Sequence, residues 1–365
     1  MKSMTYVGLD VHKKTIAYCV KTRSGKLIEE GQIEATRTDL DAWSARLRRP
    51  WTGAMEATLF TGWIYDFLKP KAQTLKVAHP AMLKAIAASK KKNDRVDANK
   101  IADLLRCDLL PECYMARTEV RERRRVLRYR NLIVNEATRM KNKIAGLLME
   151  CGVEYAKKKL HGKRYFSDLL AGLDEEAPDS VKQLLHVSRA NLELFDKLQQ
   201  GLLTKLTEDR QLQERLARLK RIDGVGDILA LTWILEVDDP HRFHSIAQAI
   251  SYCGLCSAQD NSAGKDKRGP ISKQRNKHLQ HMLIEAAKLA PRWNPVLAEV
   301  HRRELARGGK NRATVAVARK LVAYLLAADK SQKPFEQSAP LPLIKAAQGP
   351  KKKRDSLGGD PKKRR

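Results

Sequence analysis

Hydrophobic and polar positions alternate at the start of the chain, and the alternation is interrupted once. Val7, Leu9 and Val11 form one alternating run, and Ile16 and Val20 belong to a second run after a basic turn. A period of two residues is typical of a β-strand with one face against a core. Two such runs joined by a short turn predict a β-hairpin.

Further strand patterns follow this hairpin. Residues 26–35 predict a third strand, and the short apolar runs at 52–57 and 74–80 predict two buried strands. Between these last two, the segment Trp63–Leu68 has a helical pattern. Strands that are followed by alternating strands and helices predict a mixed α/β sheet over residues 1–115.

The pattern becomes helical at Val120. Apolar residues then recur at steps of four and three, at Ile133, Ala137, Met140, Ile144 and Leu147. A second helical pattern covers residues 181–219, with a stripe at Leu192, Phe195, Leu198, Leu202 and Leu206. This spacing predicts long coiled-coil-like helices within residues 116–220, with loops at 157–166 and 172–180. Packing within one chain and a seam between two chains explain the stripes equally well.

Residues 221–330 predict a mostly helical domain. Its start, "IDGVG" at 222–226, resembles a helix-hairpin-helix turn, whose glycines let backbone N–H groups approach a phosphate. A plain glycine turn between packed helices is the alternative. A polar loop at 256–273 precedes two apolar-striped helices, at 276–289 and 313–327.

The chain is strongly basic, with 71 lysines and arginines against 42 acidic residues and a net charge of +29. Such a charge predicts a polyanionic partner, and nucleic acid is the leading candidate. Residues 331–365 predict a disordered basic tail, which an appended sequence would also explain. No apolar run is long enough to cross a membrane, so we expect a cytoplasmic protein with no membrane partner.

Six cysteines are scattered along the chain, and only Cys253 and Cys256 have the spacing of a metal or redox pair. A structural zinc site needs a second pair of ligands at a suitable spacing, and the sequence offers none. We therefore expect reduced and mostly buried thiols.

Two aspartates, Asp94 and Asp97, stand three residues apart at the start of a helical pattern in a lysine-rich stretch. Taken alone, they are explained by ion pairs with the neighbouring lysines. Asp10 and Glu56 change this interpretation, because each lies in a short apolar strand, where a charge is costly unless something compensates it. Carboxylates at strand ends and at a helix start are typical of sites that hold one or two Mg²⁺ ions for phosphoryl transfer.

The segments "GLDVHKK", "MEAT" and "KNDRVDANKIADLL" closely resemble the Asp-Glu-Asp-Asp motifs of the insertion-sequence 110 (IS110) family of transposases. The resemblance implies an N-terminal domain similar to the Holliday-junction resolvase RuvC, an α/β fold of the RNase H class with a mixed sheet flanked by helices. It implies that Asp10, Glu56, Asp94 and Asp97 bind one or two Mg²⁺ ions. Residues 221–330 resemble the C-terminal transposase domain of the same family.

The resemblance also implies a nucleophile, Ser262, in the loop "DNSAGK". By residue type alone, a serine in a loop rich in glycine and lysine is a turn residue, and the family match reverses that expectation. A serine hydroxyl needs a base or a metal to become a nucleophile, and the implied Mg²⁺ site is the natural activator. The two domains must then meet, and in the family they are understood to meet between protomers.

Six basic residues are candidates for contacts with nucleic acid. Three lie near Ser262 and three lie in an arginine cluster at the start of the first long helix: Lys265, Arg268, Lys273, Arg123, Arg124 and Arg125. We expect them to contact phosphates, and ordinary solvated bases are the alternative. The serine loop departs from the usual family pattern at Ser257, Asn261, Ala263, Arg275 and Gln280. These changes affect the loop geometry and leave Ser262 in place.

Three hypotheses for the function follow. The first is a DNA recombinase that forms a phosphoserine link to DNA, with target and donor DNA as partners. The resemblance further implies a bridge RNA as guide, a dimer or tetramer, and a place at the bacterial nucleoid. The second hypothesis is a Mg²⁺-dependent junction endonuclease in which water attacks. The third is a basic scaffold that only binds nucleic acid, with the four acids as structural ion pairs.

Overall fold

A computed structural model of the chain describes residues 4–86, 93–173, 177–262, 265–333 and 335, without the side chains of residues 85–86 and 259–268. Contacts between residues divide the chain into two units, with the boundary between Leu206 and Thr207. The finer domain boundaries at residues 115, 220 and 330 stay a prediction. Most of the predicted basic tail lies outside the described residues.

The first unit contains a five-stranded mixed sheet with the strand order β3-β2-β1-β4-β5. The strands are β1 (Thr5–Val11), β2 (Thr15–Thr22), β3 (Leu27–Glu34), β4 (Trp51–Glu56) and β5 (Thr74–Ala78). The strands β1, β2 and β3 pair antiparallel, whereas β4 runs parallel to both β1 and β5. The predicted hairpin, the third strand, the two buried strands and the mixed sheet are thus confirmed.

Helices cover both faces of this sheet. They are α1 (Arg37–Arg46), α2 (Thr61–Leu68), α3 (Pro80–Ile86) and α4 (Asp94–Arg106). Apolar side chains of α1 and α2 pack on one face, where Leu40 and Ile64 meet Leu9 in the main core. On the other face α4 packs through Ala98 and Ala102. The helix that the sequence predicts at Trp63–Leu68 is confirmed as part of α2, and α1 was not predicted.

Three helices complete the first unit and share a second core. They are α5 (Thr118–Glu150), α6 (Lys163–Ala171) and α7 (Asp179–Thr207). Ala137, Ile144 and Leu147 of the α5 stripe join Leu192 of the α7 stripe in this core. Packing within the chain therefore accounts for these stripe positions, whereas Leu198 is exposed.

Two expectations for this helical region are wrong. The segment predicted as a loop at 157–166 enters α6 at Lys163. The single helix predicted over 181–219 is two helices, because α7 ends at Thr207 and a new helix begins at Arg210. The side chain of Asp209 accepts a hydrogen bond from the backbone N–H of Gln211 and so caps the new helix.

The second unit is mostly helical, as expected. Its helices are α8 (Arg210–Lys220), α9 (Asp227–Val237), α10 (Ile246–Tyr252), α11 (Lys277–Leu289), α12 (Pro295–Gly308) and α13 (Lys310–Ser331). The polar loop predicted at 256–273 is instead an antiparallel pair, β6 (Ser257–Ser262) and β7 (Lys265–Ile271). The predicted helices at 276–289 and 313–327 are confirmed as α11 and α13. Among the described residues, no helix has both the length and the apolar character needed to cross a bilayer.

All six cysteines are free, as expected. Only Cys19 and Cys253 are buried, so the expectation of mostly buried thiols is wrong. Burial raises the pKa of the Cys253 thiol to about 12, which keeps it protonated and makes it a poor metal ligand at neutral pH.

Candidate functional site

Two of the four predicted acids lie side by side at the carboxyl ends of parallel strands. Leu9 of β1 pairs with Met55 of β4, so Asp10 and Glu56 occupy the next position on each strand. Neighbouring strands lie about 4.8 Å apart, and side chains at equivalent positions point to the same face. Asp10 is buried and Glu56 is half-buried. The register therefore brings these two carboxylates to one edge of the sheet.

The other two acids reach this edge because α4 packs closely on the sheet. A Cβ atom at Gly8 would lie 2.1 Å from the carbonyl oxygen of Ala98, so only glycine permits this approach. The first turn of α4 carries Asp94 and Asp97, and the side chain of Asn93 caps it by accepting from the N–H of Val96 at 2.8 Å. The positive end of the helix dipole favours carboxylates at this position.

A histidine that was not among the predicted site residues joins two of the acids. His12 follows β1, and its Nε2 lies 3.2 Å from Oδ2 of Asp10 and 3.3 Å from Oδ1 of Asp94. One ligand atom from each of these three residues lies within 4.8 Å of the other two. Glu56 and Asp97 lie at the same end of the sheet but do not belong to this three-residue group.

The electrostatics of Asp10 reflect this crowding. Burial raises the pKa of its carboxyl, His12 opposes the rise, and the carboxylates of Asp94 and Asp97 add to it. Basic side chains also contact this region, because Lys100 Nζ lies 3.4 Å from Oδ1 of Asp97. A buried carboxylate beside like charges is stabilised by a cation. The negative charge at this site therefore favours the binding of one.

The donor set fits a hard divalent cation. Mg²⁺ and Mn²⁺ prefer carboxylate oxygens, and Asp10 with Asp94 supplies two in one place. Asp97 is near enough to Asp10 to raise the pKa of its carboxyl, and Glu56 occupies the neighbouring strand end. The predicted acids are thus at one edge of one domain, and the structure brings Asp10 and Asp94 into direct proximity.

Ser262 lies at the end of a strand in the second unit. It is the last residue of β6, and its backbone is in register with Lys265, the first residue of β7. Its hydroxyl and the side chains of Lys265 and Arg268 are outside the described part of the chain. Ser262, the predicted nucleophile, therefore lies at the end of a β-ribbon. The irregular loop that the sequence predicts there is wrong.

The base of this ribbon is fixed by polar contacts to the helices of the second unit. Asn276 donates from Nδ2 to Oε2 of the buried Glu236 at 2.9 Å, and its backbone N–H donates to the carbonyl of Tyr252. Arg319 donates to the carbonyl of Leu255 at 2.8 Å. Asn276 also caps α11 through its side-chain oxygen. Asn276 therefore supports the base of the ribbon.

Two of the departures from the family pattern lie at the same base. Gly254 has a φ of 70°, and a Cβ atom there would lie 2.4 Å from Cβ of Arg275. Gln280 Nε2 donates to the carbonyl oxygen of Gly254. Arg275 and Gln280 therefore pack and hydrogen-bond around a left-handed glycine, which gives both substitutions a role in the fold.

The remaining basic candidates differ in exposure. Lys273 and Arg125 are exposed, and Arg123 and Arg124 are half-buried. Both half-buried arginines also interact within the chain. Lys273 and Arg125 are thus the two candidates among these four with the most freely accessible side chains.

The glycine turn between α8 and α9 has one clear structural role. Gly224 has a φ of 90°, and a Cβ atom there would lie 2.5 Å from Cβ of Ala290. The two helices with their short turn fit the predicted helix-hairpin-helix outline. The close packing of Gly224 favours the plain glycine turn for this residue, and a phosphate contact at Gly226 stays a prediction.

Each of the two units contains a segment that matches a protein-family model. Residues 7–152 match a model described as a transposase, of the DEDD type of IS110 elements. Residues 216–302 match a model described as a transposase of the IS116/IS110/IS902 family. The two matches fall on the regions that hold the acids and Ser262, respectively.

Individual relatives extend this similarity over most of the chain. The transposase for insertion sequence element IS1111A of Coxiella burnetii is 27% identical over 88% of this chain and 88% of its own length. The transposase for insertion sequence element IS1328 of Yersinia enterocolitica is 25% identical over 79% of this chain and 84% of its own length. A putative transposase of Sinorhizobium fredii, y4qE, is 24% identical over 77% and 70%, respectively.

Proposed function

Because the chain belongs to the IS110 family of transposases, enzymes that act on DNA, we propose that it cuts and rejoins DNA strands with Ser262 as the nucleophile. The proximity of Asp10, Asp94 and His12 at the sheet edge is the observation that carries the proposal. It supports a divalent-cation site, which a basic scaffold does not need. The strand order β3-β2-β1-β4-β5 supports a RuvC-like fold for the first unit.

The four carboxylates Asp10, Glu56, Asp94 and Asp97 hold one or two Mg²⁺ ions in this proposal. The bound ion supplies Lewis-acid stabilisation of charge on a phosphate and lowers the pKa of a hydroxyl beside it. Asp10 orients the site from the rigid centre of the sheet, and the first turn of α4 adds carboxylates that the helix dipole favours.

Ser262 then attacks the phosphorus of a scissile phosphodiester. A new bond forms between its Oγ and phosphorus, the bond to one deoxyribose oxygen breaks, and the serine proton passes to that leaving oxygen by way of solvent or a site carboxylate. The phosphoserine bond conserves the energy of the phosphodiester, so a second DNA hydroxyl can reverse the step and join a new strand. Lys265, Arg268 and Lys273 stabilise the charge on the phosphate, and Arg123, Arg124 and Arg125 contact the DNA or RNA backbone.

A trapping assay tests the nucleophile. Wild-type protein is incubated with DNA from the ends of its own element, quenched in detergent, and analysed for protein that migrates with labelled DNA. We expect an adduct with wild type, none with Ser262→Ala, and a normal amount with Ser257→Ala, a matched serine at the start of β6. An adduct and full recombination in Ser262→Ala would remove Ser262 as nucleophile.

A metal-dependent endonuclease that uses water is the second candidate, and the same carboxylate cluster favours it equally. The two candidates differ in their products, because hydrolysis leaves free ends and no adduct. If Ser262→Ala still cuts DNA at the wild-type rate, the endonuclease is correct. Both candidates require that Asp10→Ala and Asp97→Ala abolish cutting.

We also propose that a structured RNA guides the chain to its DNA partners. The basic composition, with a net charge of +29, and the low aromatic content of 5% support recognition of nucleic-acid backbones over the stacking of individual bases. Sequencing the RNA that co-purifies with the protein tests this. One abundant structured species encoded beside the gene would support guidance, and bulk cellular RNA would contradict it.

A further inference from the structure

His12 lies beside two of the predicted metal ligands, Asp10 and Asp94. It follows β1 by one residue, in the short turn before β2, and its side chain is half exposed. Its Nε2 atom lies 3.2 Å from one carboxylate oxygen of Asp10 and 3.3 Å from one of Asp94. The three ligand atoms therefore form a compact triangle that involves no residue of the second unit.

Two sides of this triangle match the spacing of ligands in a coordination sphere. Two ligands at neighbouring corners of an octahedron with metal–ligand bonds of about 2.1 Å lie about 3 Å apart. The two distances from His12 Nε2 are close to this value. The same nitrogen contacts both carboxylates and is their shared polar partner.

We infer that His12 is a direct ligand of the divalent ion, so that the centre combines carboxylate oxygens with one imidazole nitrogen. The inference rests on the proposed function, in which Asp10 and Asp94 hold that ion. Nε2 of a neutral imidazole is the commonest nitrogen ligand in proteins. His12 thereby extends the set of four acids by a residue of different chemistry.

A nitrogen ligand changes which ions the site prefers. All-oxygen sites suit Mg²⁺ and Ca²⁺, whereas an imidazole raises the affinity for transition-metal ions relative to Mg²⁺. We therefore expect wild-type protein to bind Mn²⁺ more tightly than Mg²⁺. Replacing His12 with a carboxylate should reverse part of this preference.

The test measures Mn²⁺ binding to the full chain in the absence of nucleic acid. Free Mn²⁺ is quantified by electron paramagnetic resonance, Mg²⁺ affinity is obtained by competition, and the pulsed echo-modulation spectrum reports any ¹⁴N atom bound directly to Mn²⁺. The variants are His12→Ala, His12→Asp, Asp10→Ala and His186→Ala. His186 is an exposed histidine on α7 and serves as the matched control.

We expect a directly bound ¹⁴N signal in wild type and in His186→Ala, and no such signal in His12→Ala or His12→Asp. The Mn²⁺ dissociation constant should rise at least about 10-fold in His12→Ala, because the loss of a direct ligand costs at least as much as the loss of an outer-shell partner. In His12→Asp, binding should largely return with a lower ratio of Mn²⁺ to Mg²⁺ affinity. Circular dichroism melting confirms that each variant is folded, and His12→Asp remains informative if His12→Ala does not fold.

Two failures are distinguishable. If wild type binds Mn²⁺ in an Asp10-dependent way without a ¹⁴N signal, or if His12→Ala keeps wild-type affinity, His12 is not a ligand and the carboxylate site stands. If wild type does not bind Mn²⁺, or if Asp10→Ala binds it as wild type does, the proposed metal centre itself is wrong and the inference falls with it.

Discussion

Asp10 occupies an unfavourable place for a carboxylate. It lies in the central strand of the sheet, is only 8% exposed, and has the carboxylates of Asp94 and Asp97 near it. Burial and like charges both disfavour its ionised form, and the single contact with His12 compensates only in part. Such a residue contributes little to the stability of the ion-free protein. A bound cation would compensate its negative charge.

The variant Asp10→Asn separates these two effects. Without divalent ions, we expect its free energy of unfolding to equal that of wild type or exceed it by about 1 kcal/mol, because the amide carries no buried charge. With Mn²⁺ present, we expect wild type to be the more stable, since an ion that binds only the folded state raises stability. Thermal melting in chelator and in Mn²⁺ measures both.

The control for this comparison is Asp41→Asn, which changes an exposed aspartate of the same unit that pairs with Lys71. It should retain the full stabilisation by Mn²⁺. If Asp10→Asn instead lowers the melting temperature equally with chelator and with Mn²⁺, Asp10 is a structural ion-pair partner and not a metal ligand.

The sequence was informative about the acids and silent about His12. A charge inside a short apolar strand is a local anomaly, so Asp10 and Glu56 can be identified without a structure. The contact of His12 with Asp94 depends on a separation of 82 residues that only the packing of α4 closes. The available signal was a histidine two positions after a strand-end aspartate, which by itself does not indicate a ligand.

The packing of α4 on the sheet is the element that assembles the site. Gly8 lies beneath this helix, and an added Cβ would lie 2.1 Å from the carbonyl oxygen of Ala98 and 2.5 Å from the backbone nitrogen of Ala102. Both neighbours are backbone atoms of the helix, so the helix must shift to make room. A shift would also move the first turn, which carries Asp94 and Asp97.

We therefore expect Gly8→Ala to lower the free energy of unfolding by about 1–3 kcal/mol and to weaken Mn²⁺ binding. The matched control is Gly146→Ala in α5, where a Cβ atom meets nothing within 4 Å. That change should raise stability by about 0.5–1 kcal/mol, because alanine favours the helix. Urea unfolding and Mn²⁺ titration measure both quantities, and normal values for Gly8→Ala would contradict this account of the site.

An ion pair between a buried lysine and a half-buried aspartate holds the middle of α4 on β2. Lys21 is buried, and its Nζ lies 2.6 Å from Oδ2 of Asp103 and 2.7 Å from Oδ1 of Asn99. Burial raises the pKa of Asp103, but hydrogen bonds from Lys21 and Arg106 outweigh it, so the pKa lies below its ordinary value of 3.8. The stabilisation from this carboxylate is therefore fully present above pH 3.8 and is lost as the pH falls through the lowered pKa.

The variant Asp103→Asn tests this pair. At neutral pH we expect a loss of about 1–3 kcal/mol, because Lys21 keeps only a neutral partner in a buried place. The difference from wild type should shrink as the pH falls below 3.8 and through the lowered pKa of the Asp103 carboxyl. Asp179→Asn, at a fully exposed first-turn position of α7, should change little at either pH. An equal loss for Asp103→Asn at both pH values would contradict the ionic explanation.

The helices α1 and α12 and the ribbon of β6 and β7 were not predicted, for two different reasons. Before α1, Thr36 accepts a hydrogen bond from the N–H of Asp39, and before α12 Asn294 does the same for Leu297. These two starts carry ordinary capping signals that can be recognised in the sequence. The ribbon of β6 and β7 has no such signal, because its strands are polar and lack alternation. Backbone pairing and the fixed base around Asn276 form it, and neither is a local property of the sequence.

At the scale of the whole molecule, the acids and the proposed nucleophile lie in separate units of one chain, with Asp10 before the boundary at Leu206 and Ser262 after it. Chemistry that uses both requires them to meet, either within one chain or between two chains. We propose that they meet between protomers of a homo-oligomer. Each protomer then contributes its carboxylates to one site and its serine to another, which couples assembly to DNA cleavage.

Mixing two inactive variants distinguishes the two arrangements. Asp97→Ala removes a carboxylate and Ser262→Ala removes the hydroxyl, so each alone should form no adduct. In a mixed dimer with sites between protomers, the carboxylates of the Ser262→Ala chain meet the serine of the Asp97→Ala chain, and one of the two sites is intact. Random mixing at equal amounts should therefore restore roughly a quarter of the wild-type adduct.

The experiment requires exchange of protomers, so the two variants are produced together in one cell with different affinity tags and purified through both. The doubly tagged species should then show about half of the wild-type adduct per dimer, because every molecule is mixed.

The double variant Asp97→Ala with Ser262→Ala, paired with wild type, is the matched control, since its mixed dimers contain the same substitutions on one chain. With sites between protomers it retains no intact site, whereas with sites inside one chain it retains the wild-type one. Adduct formation in this control and none in the mixture of single variants would show that each chain completes its own site.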